Sequence, residues 1–555
     1  MTTPTCGADV VVDALDELGA RQVFTLSGNQ IMSIFNATCG RNMNLIHVRH
    51  EAAAVHMADG WGRLTGEPGI ALVTAGPGFA NCISALYVAL MAESPLILLS
   101  GSAKRGRRGP AEFQAMEQSE MARTVTKASH TVETTAEITD AIHCAWQCAR
   151  SGRPGPVHLS LPVDVLETPC DAQFQHSTTP TSQQSQEVSA TQVHSLLNTL
   201  SSAQRPLILA GPAAGRNHSK HLLDQLSLQT GIPYLVSESP RGPRDPELGA
   251  FAWILKQADV VLLVGKKIDF SLMTGGHLVF APDCRLIEVE TDASHTADST
   301  DEVAPHRNIT TLKTADCDRF LQQLASAAPA EAQQERIWWN EVQAAVNFAP
   351  PEWDQWRSEP GQPLRSIDVC RAIQDHLDEA PSSMLIADGG EFGQWAQACI
   401  RADQRLINGP SGSIGSGISL ALAGRLYDSE ARIVAVMGDG TFGFHGFEFD
   451  TAIRYGLPFV AVVGNDARWN AEHQIQIRKY GAERTIGCEL RATRYDQLVG
   501  SLGGHGEYVT CRDQLPAALD RATRSRQPAC VNVEITGDPA PDLSHIDMRS
   551  LCDGS

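Results

Sequence analysis

Residues 434–444 read VAVMGDGTFGF, an apolar run that ends in Gly-Asp-Gly and continues with a threonine. The two glycines fit a turn, because glycine adopts positive φ and lets other groups approach its backbone closely. A turn alone does not explain the carboxylate between them. It also does not explain the stretch that follows, GFEFDTAIRYGLPFVAVVGNDARWN, which is helical, then apolar, then acidic again. The pattern predicts two parallel strands, each followed by an acidic loop.

The two acidic loops are separated by one strand–helix–strand unit. Asp439 and Asp466 each end a strand and lie 27 residues apart, a length that one crossover between adjacent parallel strands takes. Paired carboxylates suit a hard cation such as Mg²⁺, which takes its remaining ligands from phosphate and water. Gly440 lets a phosphate approach the backbone, and Thr441 opens a helix whose N–H groups favour an anion. The residues therefore predict a Mg²⁺–diphosphate site, although both Asp residues also fit turn or N-cap positions.

The composition is that of a globular protein with about three domains. The chain has 555 residues, of which 42% are apolar and 19% are charged, and this length exceeds what one core covers. Its 44 basic and 64 acidic residues give a net charge of −20, which argues against a nucleic-acid partner. No apolar run reaches membrane-spanning length, and the polar amino-terminal stretch lacks a signal-peptide pattern. The fourteen cysteines form no CxxC pair, so we expect reduced thiols and a cytoplasmic location.

Strand-like and helix-like stretches alternate in three segments of the chain, 1–170, 191–330 and 366–545. A polar Ser/Thr/Gln-rich linker is predicted at 171–190 and a proline-rich one at 331–365. The alternation predicts an α/β protein with three doubly wound parallel sheets covered on both faces. Ligands of such sheets lie at the carboxyl ends of strands. The glycine-rich stretches TAGPGFAN, DGGEFGQW and MGDGTFGF all fall at such ends.

Five stretches spread along nearly the whole chain carry a resemblance to a known family. They are VRHEAAAVHMADGWGRLTG, TAGPGFANCISALYVALMAESPLILLSG, FQAMEQSEMARTVTK, GSIGSGISLALAG, and GDG followed 25 residues later by ND. In this order they resemble the motifs of the thiamine diphosphate (ThDP) enzymes of the acetolactate synthase, benzaldehyde lyase and pyruvate decarboxylase superfamily. The resemblance implies a pyrimidine-binding domain, a central Rossmann-like domain and a diphosphate-binding domain, with ThDP and Mg²⁺ as cofactors.

The resemblance also implies a role for each matching residue. Asp439 and Asp466 match the side chains that bind Mg²⁺, and Arg468 matches a residue that gives its backbone carbonyl. Asp466 stands where the family usually has Asn. Glu51 matches the glutamate that bonds the aminopyrimidine ring, and Gly412 matches a carbonyl acceptor for its amino group. The further cofactor contacts implied are Thr74, Pro77, Asn81, Glu391, Phe392, Ile414 (the apolar wedge that bends the cofactor), Gly438, Gly440 and Thr441.

Four residues are implied on the catalytic side of the site. One is Glu51 itself, which promotes loss of a proton from the cofactor. Gln114 matches the active-site glutamine of carboligating members, and Gln30 stands where benzaldehyde lyase has a histidine. Glu472 occupies the position of a decarboxylase glutamate, and the adjacent His473 is either a second acid–base candidate or a helix residue that faces away.

The implied activity is formation or cleavage of C–C bonds in 2-oxo acids or 2-hydroxy ketones, as in acetolactate synthase. One alternative is a 2-hydroxyacyl-CoA lyase or oxalyl-CoA decarboxylase-like enzyme, and another is a catalytically silent binding or regulatory homologue. The central segment shows no full GxGxxG and none of the family's FAD-contacting stretches, so FAD is not expected. In the family the two halves of the site come from different subunits, which implies a homodimer or homotetramer with sites at the subunit interface.

Overall fold

The computed structural model describes residues 5–106, 112–170, 187–291, 309–314, 316–329 and 337–549. Most of the predicted first linker, 171–186, and part of the second, 331–336, lie outside these residues. By internal contacts the chain separates into two units. The first unit comprises residues 1–150, 154–180 and 357–540, and the second comprises residues 151–153, 181–356 and 541–555.

A six-stranded parallel sheet forms the amino-terminal part of the first unit. Its strands are β1 (Gln22–Thr25), β2 (Asn44–His47), β3 (Gly69–Val73), β4 (Leu96–Ser102), β5 (Ala128–Thr131) and β6 (Pro156–Pro162), in the order β2-β1-β3-β4-β6-β5. Its helices are α1 (Gly7–Glu17), α2 (Met32–Ala37), α3 (Glu51–Thr65), α4 (Pro77–Ala80), α5 (Ile83–Met91), α6 (Gln118–Ala122), α7 (Ile138–Arg150) and α8 (Val163–Glu167). The central strands β3 and β4 are buried along nearly their whole length, as expected for a sheet covered on both faces.

The second unit is built on a five-stranded parallel sheet. Its strands are β7 (Pro206–Ala210), β8 (Tyr234–Val236), β9 (Val260–Val264), β10 (Arg285–Glu290) and β11 (Ile309–Lys313), in the order β11-β10-β9-β7-β8. Its helices are α9 (Ala190–Ser202), α10 (Asn217–Thr230), α11 (Phe251–Gln257), α12 (Cys317–Ala327) and α13 (Ile337–Val346). Separate apolar clusters pack against the two faces of this sheet.

The carboxyl-terminal sheet of the first unit repeats the topology of the amino-terminal one. Its strands are β12 (Ser383–Asp388), β13 (Gln404–Ile407), β14 (Arg432–Gly438), β15 (Val460–Asn465), β16 (His505–Val509) and β17 (Ala529–Glu534), in the order β13-β12-β14-β15-β17-β16. Its helices are α14 (Ser366–Asp378), α15 (Gly390–Cys399), α16 (Gly417–Tyr427), α17 (Asp439–His445), α18 (Glu448–Arg454), α19 (Asn470–Tyr480), α20 (Tyr495–Leu502) and α21 (Leu515–Arg524). The chain is therefore an α/β protein with three parallel sheets.

Helix α3 packs between the two sheet regions of the first unit and is therefore buried on nearly all sides. Its small residues allow close packing against α16, and a Cβ added at Gly60 would lie 2.9 Å from that of Ala423. Near its end, the guanidinium of Arg63 donates two hydrogen bonds to the buried carboxylate of Asp59 and one to the carbonyl of Ile407. Among the described residues, no helix combines the length and the apolar character that crossing a membrane requires.

Candidate cofactor and metal site

The two acidic loops meet at one edge of the carboxyl-terminal sheet. Strands β14 and β15 are parallel neighbours, with Gly438 opposite Gly464. Asp439 directly follows β14 as the first residue of α17, and Asp466 directly follows β15. Since parallel neighbours end at the same edge of a sheet, the 27-residue spacing brings the two carboxyl groups together, and each affects the pKa of the other.

This carboxylate pair is electrostatically unfavourable without a cation. Asp439 is only 2% exposed, and its Oδ2 has no hydrogen-bond partner. Burial, followed by the charge of Asp466, raises the pKa of Asp439 to about 7. Burial also raises the pKa of Asp466 to about 6, although the charge of Arg468 acts in the opposite direction. Two facing carboxylates with one unsatisfied buried oxygen fit a hard divalent cation.

The loop after Asp466 is held in a strained turn beside the second strand end. Ala467 has φ of 55°, a left-handed conformation that costs free energy for a residue with a side chain. The carbonyl of Ala467 accepts from the N–H of Leu490, and Arg468 forms an isolated bridge with Glu489. The side chain of Arg468, two residues beyond Asp466, is exposed. Only its backbone remains as a candidate metal ligand.

The close approach of the Trp469 ring explains why position 440 is a glycine. A Cβ at Gly440 would lie 2.7 Å from two ring atoms of Trp469, a distance that Cβ atoms essentially never show. The ring of Trp469 thus covers the backbone of the first acidic loop. By contrast, a Cβ at Gly390, Gly412 or Gly438 would meet no atom within 4 Å. These three glycines border open space.

The segment that carries Gly412 and Ile414 is fixed by the end of strand β12. The carboxylate of Asp388 accepts from the N–H of Gly415 at 3.1 Å and from the N–H of Gly417 at 2.5 Å. Burial raises the pKa of Asp388 to about 6. Gly412 has φ of 71°, and the side chain of Ile414 packs where a Cβ at Gly389 would stand.

The other predicted cofactor contacts at the carboxyl edge of this sheet are Glu391, Phe392 and Thr441. Glu391 is 5% exposed, and its Oε2 accepts from the N–H of Ala540 at 2.7 Å. The ring of Phe392 is buried against Gly464 in the sheet, so only the backbone of Phe392 is available to a diphosphate. Thr441 lies in the first turn of α17, and its Oγ1 would be 3.0 Å from a Cβ at Gly389.

Glu51 begins helix α3 at the carboxyl edge of the amino-terminal sheet. Its Oε2 accepts from Nδ2 of Asn81 at 2.9 Å, and its Oε1 lies near Gly78. The carboxylate of Glu448 accepts from the backbone N–H groups of Arg49 and His50, directly before Glu51. Two predicted residues, Glu51 and Asn81, are therefore in direct contact.

Gln30, Thr74 and the segment of Gln114 lie near the start of helix α4. Oε1 of the buried Gln30 accepts from Thr74 Oγ1 at 2.7 Å. Gln114 has φ of 59°, and its carbonyl lies against Gly76, one residue before Pro77. The neighbouring Gln118, rather than Gln114, is buried. Its amide accepts from the N–H of Gly76 and donates to Ser100 and the Gly101 carbonyl.

The two candidates on helix α19 are not enclosed within the chain. Glu472 is exposed, and His473 is half-buried. No residue of α19 is buried, although Nδ1 of His473 is shielded and lacks a hydrogen-bond partner. The structure places α19 directly after the second acidic loop but brings Glu472 into no described contact with the carboxylate pair.

Sequence reasoning overlooked four residues that shape this site, namely Asp388, Gln118, His445 and Glu448. Asp388 carried a detectable signal, since an acidic residue precedes two glycines at a strand end in DGGEFGQW, as in the GDG loop. Glu448 carried none, because the N–H groups that it accepts lie about 400 residues earlier in the chain.

Comparison with known proteins agrees with this geometry. Three profiles of thiamine pyrophosphate enzymes match: the N-terminal TPP binding domain at residues 5–122, the central domain at 193–312 and the C-terminal TPP binding domain at 388–533. The acetolactate synthase large subunit IlvG of Mycobacterium tuberculosis is 31% identical over 94% of both chains. The 2-hydroxyacyl-CoA lyase 2 of Danio rerio is 29% identical over 95% of this chain and 90% of its own. Oxalyl-CoA decarboxylase of Escherichia coli K12 is 27% identical over 98% of this chain and 97% of its own. The chain therefore belongs to the thiamine pyrophosphate enzyme family.

Proposed function

We propose that this protein is a ThDP- and Mg²⁺-dependent enzyme that forms or cleaves C–C bonds in 2-oxo acids or 2-hydroxy ketones. The observation that carries the proposal is the pair formed by Asp439 and Asp466. One oxygen of the buried Asp439 has no partner, and both carboxyl pKa values are raised. The pair lies beside glycines that border open space, in a chain of the thiamine pyrophosphate enzyme family.

The carboxyl-terminal sheet would hold the diphosphate end of the cofactor. Asp439, Asp466 and the carbonyl of Arg468 would bind Mg²⁺, and the metal would take further oxygens from the diphosphate. The carbonyl of Gly412 would accept a hydrogen bond from the amino group of the pyrimidine, and Ile414 would support the bend between the two rings. When bound, ThDP supplies a nucleophilic carbon for carbonyl addition and an electron sink for C–C bond changes.

Glu51 is the acid–base residue of this proposal. Asn81 fixes one oxygen of its carboxylate at 2.9 Å, which leaves the other oxygen to hold or release a proton at the pyrimidine nitrogen. The backbone bonds from Arg49 and His50 to Glu448 fix the chain that leads into α3. Glu51 is thus held on a rigid element, as proton transfer at a defined atom requires.

On the substrate side, Gln30 and Gln114 would orient a carbonyl or hydroxyl oxygen. Gln30 is 5% exposed and uses its amide oxygen to accept from Thr74, so its amide N–H groups remain as donors. Gln114 itself adopts a left-handed conformation, and its carbonyl lies against Gly76, whose N–H donates to the buried amide of Gln118. Glu472, on an exposed helix, would act as an acid–base residue only after a further surface encloses it.

That further surface is proposed to be a second copy of the chain. Apolar side chains remain exposed around the acidic loops of one chain, with Phe444 at 53%, Phe447 at 60% and Ile475 at 43%. Burial of such side chains favours association. A homodimer or homotetramer with sites at the subunit interface would cover them and enclose Glu472.

Two cations beside the central sheet bear on the choice between a free acid and a CoA thioester as substrate, and we rank the free acid first. Cationic side chains strengthen the binding of a nucleotide phosphate, but Lys266 already donates to Asp269 and Ser271. Arg216, in the loop after β7, is paired with Glu238 at 3.1 Å. Two relatives are named for CoA thioesters, a 2-hydroxyacyl-CoA lyase and an oxalyl-CoA decarboxylase, so a CoA thioester is the second candidate substrate.

Product analysis by NMR tests this proposal. The purified protein is incubated with ThDP and Mg²⁺ and, in separate samples, with pyruvate, benzoin or a 2-hydroxyacyl-CoA. Acetolactate, an acyloin or benzaldehyde supports the proposal. Cleavage of the thioester alone supports the second candidate. If ThDP binds and no sample reacts, the protein is a silent homologue toward these substrates and the proposed activity is wrong.

The Glu51→Gln variant is the matched control for chemistry on the cofactor. Glutamine keeps the size of the side chain and its bond to Asn81 but cannot hold and release a proton. We expect ThDP binding to persist and turnover to fall by at least 10²-fold, the usual contribution of a positioned acid–base group. Equal turnover in variant and wild type would contradict the role given to Glu51.

A further inference from the structure

His445 closes helix α17 next to the segment that carries Gly412 and Ile414. Its Nδ1 lies 2.7 Å from the carbonyl oxygen of Gly415. A carbonyl only accepts hydrogen bonds, so Nδ1 of His445 carries a proton and donates it. This contact joins the helix that begins with Asp439 to the loop that carries Gly412.

Gly415 is held on its other side by Asp388. The carboxylate of Asp388 accepts from the Gly415 N–H at 3.1 Å, whereas the Gly415 carbonyl accepts from His445. Gly415 has φ of 101°, and a Cβ there would lie 2.5 Å from the Cβ of Phe444. Because both polar groups of this one residue are bonded, the two peptide groups that flank Gly415 are each held in one orientation.

The ring of His445 is itself held by two histidines of the amino-terminal sheet region. The ring centroids of His50 and His56 lie 5.7 Å and 5.5 Å from that of His445, both with edge-to-face geometry. Nδ1 of His50 accepts from the N–H of Ala52, which fixes the orientation of that ring. Burial lowers the pKa of His445, which agrees with a neutral ring that keeps one donor for Gly415.

We propose that His445 is a positioning residue that sets the Gly412–Ile414 loop for the cofactor. Its Nδ1–H fixes the Gly415 carbonyl, and α17 connects this bond to Asp439 at the other end of the helix. Helix α17 thereby holds both the Gly412–Ile414 loop and the carboxylate of Asp439, which is proposed to bind the metal. This inference rests on the proposed use of Gly412 and Ile414 in ThDP binding and adds a residue that touches neither the metal nor the diphosphate.

The test compares three substitutions, His445→Asn, His445→Gln and His445→Leu. Asparagine carries its amide nitrogen as far from Cα as Nδ1 of histidine, so it keeps the donor in place. Glutamine carries it one bond too far, and leucine has no donor. Substitution of the exposed His130 on β5 by leucine is the control for general effects of removing a histidine.

The first readout is amide hydrogen exchange of residues 409–417 in the protein without cofactor. We expect about tenfold faster exchange in His445→Leu and His445→Gln, the effect of losing one hydrogen bond, and wild-type exchange in His445→Asn. The second readout is ThDP affinity with Mg²⁺, which we expect to weaken about tenfold in the same two variants. The midpoint of global unfolding serves to separate local loosening from a general loss of stability.

The outcomes distinguish this inference from the proposed function. If wild-type protein binds ThDP and the leucine variant matches it in both exchange and affinity, His445 is not a positioning residue. Failure of the asparagine variant to restore exchange would also overturn the inference, because the donor is then not what matters. If wild-type protein does not bind ThDP while exchange follows the expected order, the proposed function fails and the hydrogen bond to the loop stands.

Discussion

Replacing Asp439 by Asn should stabilise the protein when no metal is present. The folded state raises the pKa of this carboxyl from 3.8 to about 7 because of burial and the charge of Asp466. A carboxyl with a raised pKa contributes stability that is fully present below pH 4 and is lost as the pH rises through 7. Asparagine has the same shape and no charge, so the Asp439→Asn variant escapes this loss.

The magnitude follows from the pKa shift. Between pH 5 and pH 7 the wild-type carboxyl is charged in the unfolded chain and largely protonated in the folded one. Two pKa units at about 1.4 kcal/mol each give about 3 kcal/mol. The difference in unfolding free energy between Asp439→Asn and wild type should therefore grow by about 3 kcal/mol from pH 5 to pH 8.

Urea unfolding in EDTA at pH 5 and pH 8 measures this difference. The exposed Asp513, replaced by Asn, is the matched control and should give the same difference at both pH values. Addition of Mg²⁺ and ThDP should narrow this difference at pH 8. At a hundred times the dissociation constant the ligands stabilise wild type by about 2.7 kcal/mol, and the variant by less. A pH-independent difference, or a variant that is less stable than wild type in EDTA at pH 8, would refute the account of the carboxylate pair.

Three further substitutions test the packing around the site. Gly440→Ala should abolish ThDP binding, since its Cβ would lie 2.7 Å from the Trp469 ring. A fluorescence titration unchanged from wild type would contradict this prediction. Adding Trp469→Ala to the variant should relieve the clash and restore binding. Arg63→Met should lower the unfolding free energy by about 3–5 kcal/mol, because Asp59 is then buried without its cation; a change below 1 kcal/mol in urea unfolding would contradict it. Gln118→Met should reduce turnover while the fold persists, since it releases the segment of Gln114; unchanged kcat and KM would show that this segment is not part of the site.

The sequence predicts the interior of each sheet better than its edges. Interior strands such as β14 and β15 are continuous apolar runs because both of their faces are covered. The edge strand β5 alternates between exposed and half-buried residues, and β16 is mostly half-buried; their short sequences ASHT and HGEYV carry no apolar run. Neither sequence by itself indicates a strand. The strand β6 is fully buried, but its sequence PVHLSLP has proline at both ends, and proline argues against a central strand.

In the site, too, the sequence predicts contacts within one strand–helix–strand unit better than contacts between distant segments. The spacing of Asp439 and Asp466 is local to one crossover, so the sequence predicts their proximity. The contacts of Glu448 with Arg49 and of His445 with Gly415 depend on how distant segments pack, and no pattern around either residue indicates them. Gln118 shows a further limit. Sequence matching points to Gln114, which stays a prediction, and gives no sign that Gln118 is buried and bonded to Gly76, Ser100 and Gly101.

Titration of the wild-type protein with ThDP, followed by tryptophan fluorescence, tests the central claim most directly. Trp469 covers Gly440 and should report on a ligand at the acidic loops. With Mg²⁺ present we predict saturable binding of one ThDP per chain, and in EDTA we predict that the affinity falls by at least tenfold. Equal affinity with and without the divalent cation, or no binding in either condition, would contradict a metal–diphosphate site at Asp439 and Asp466.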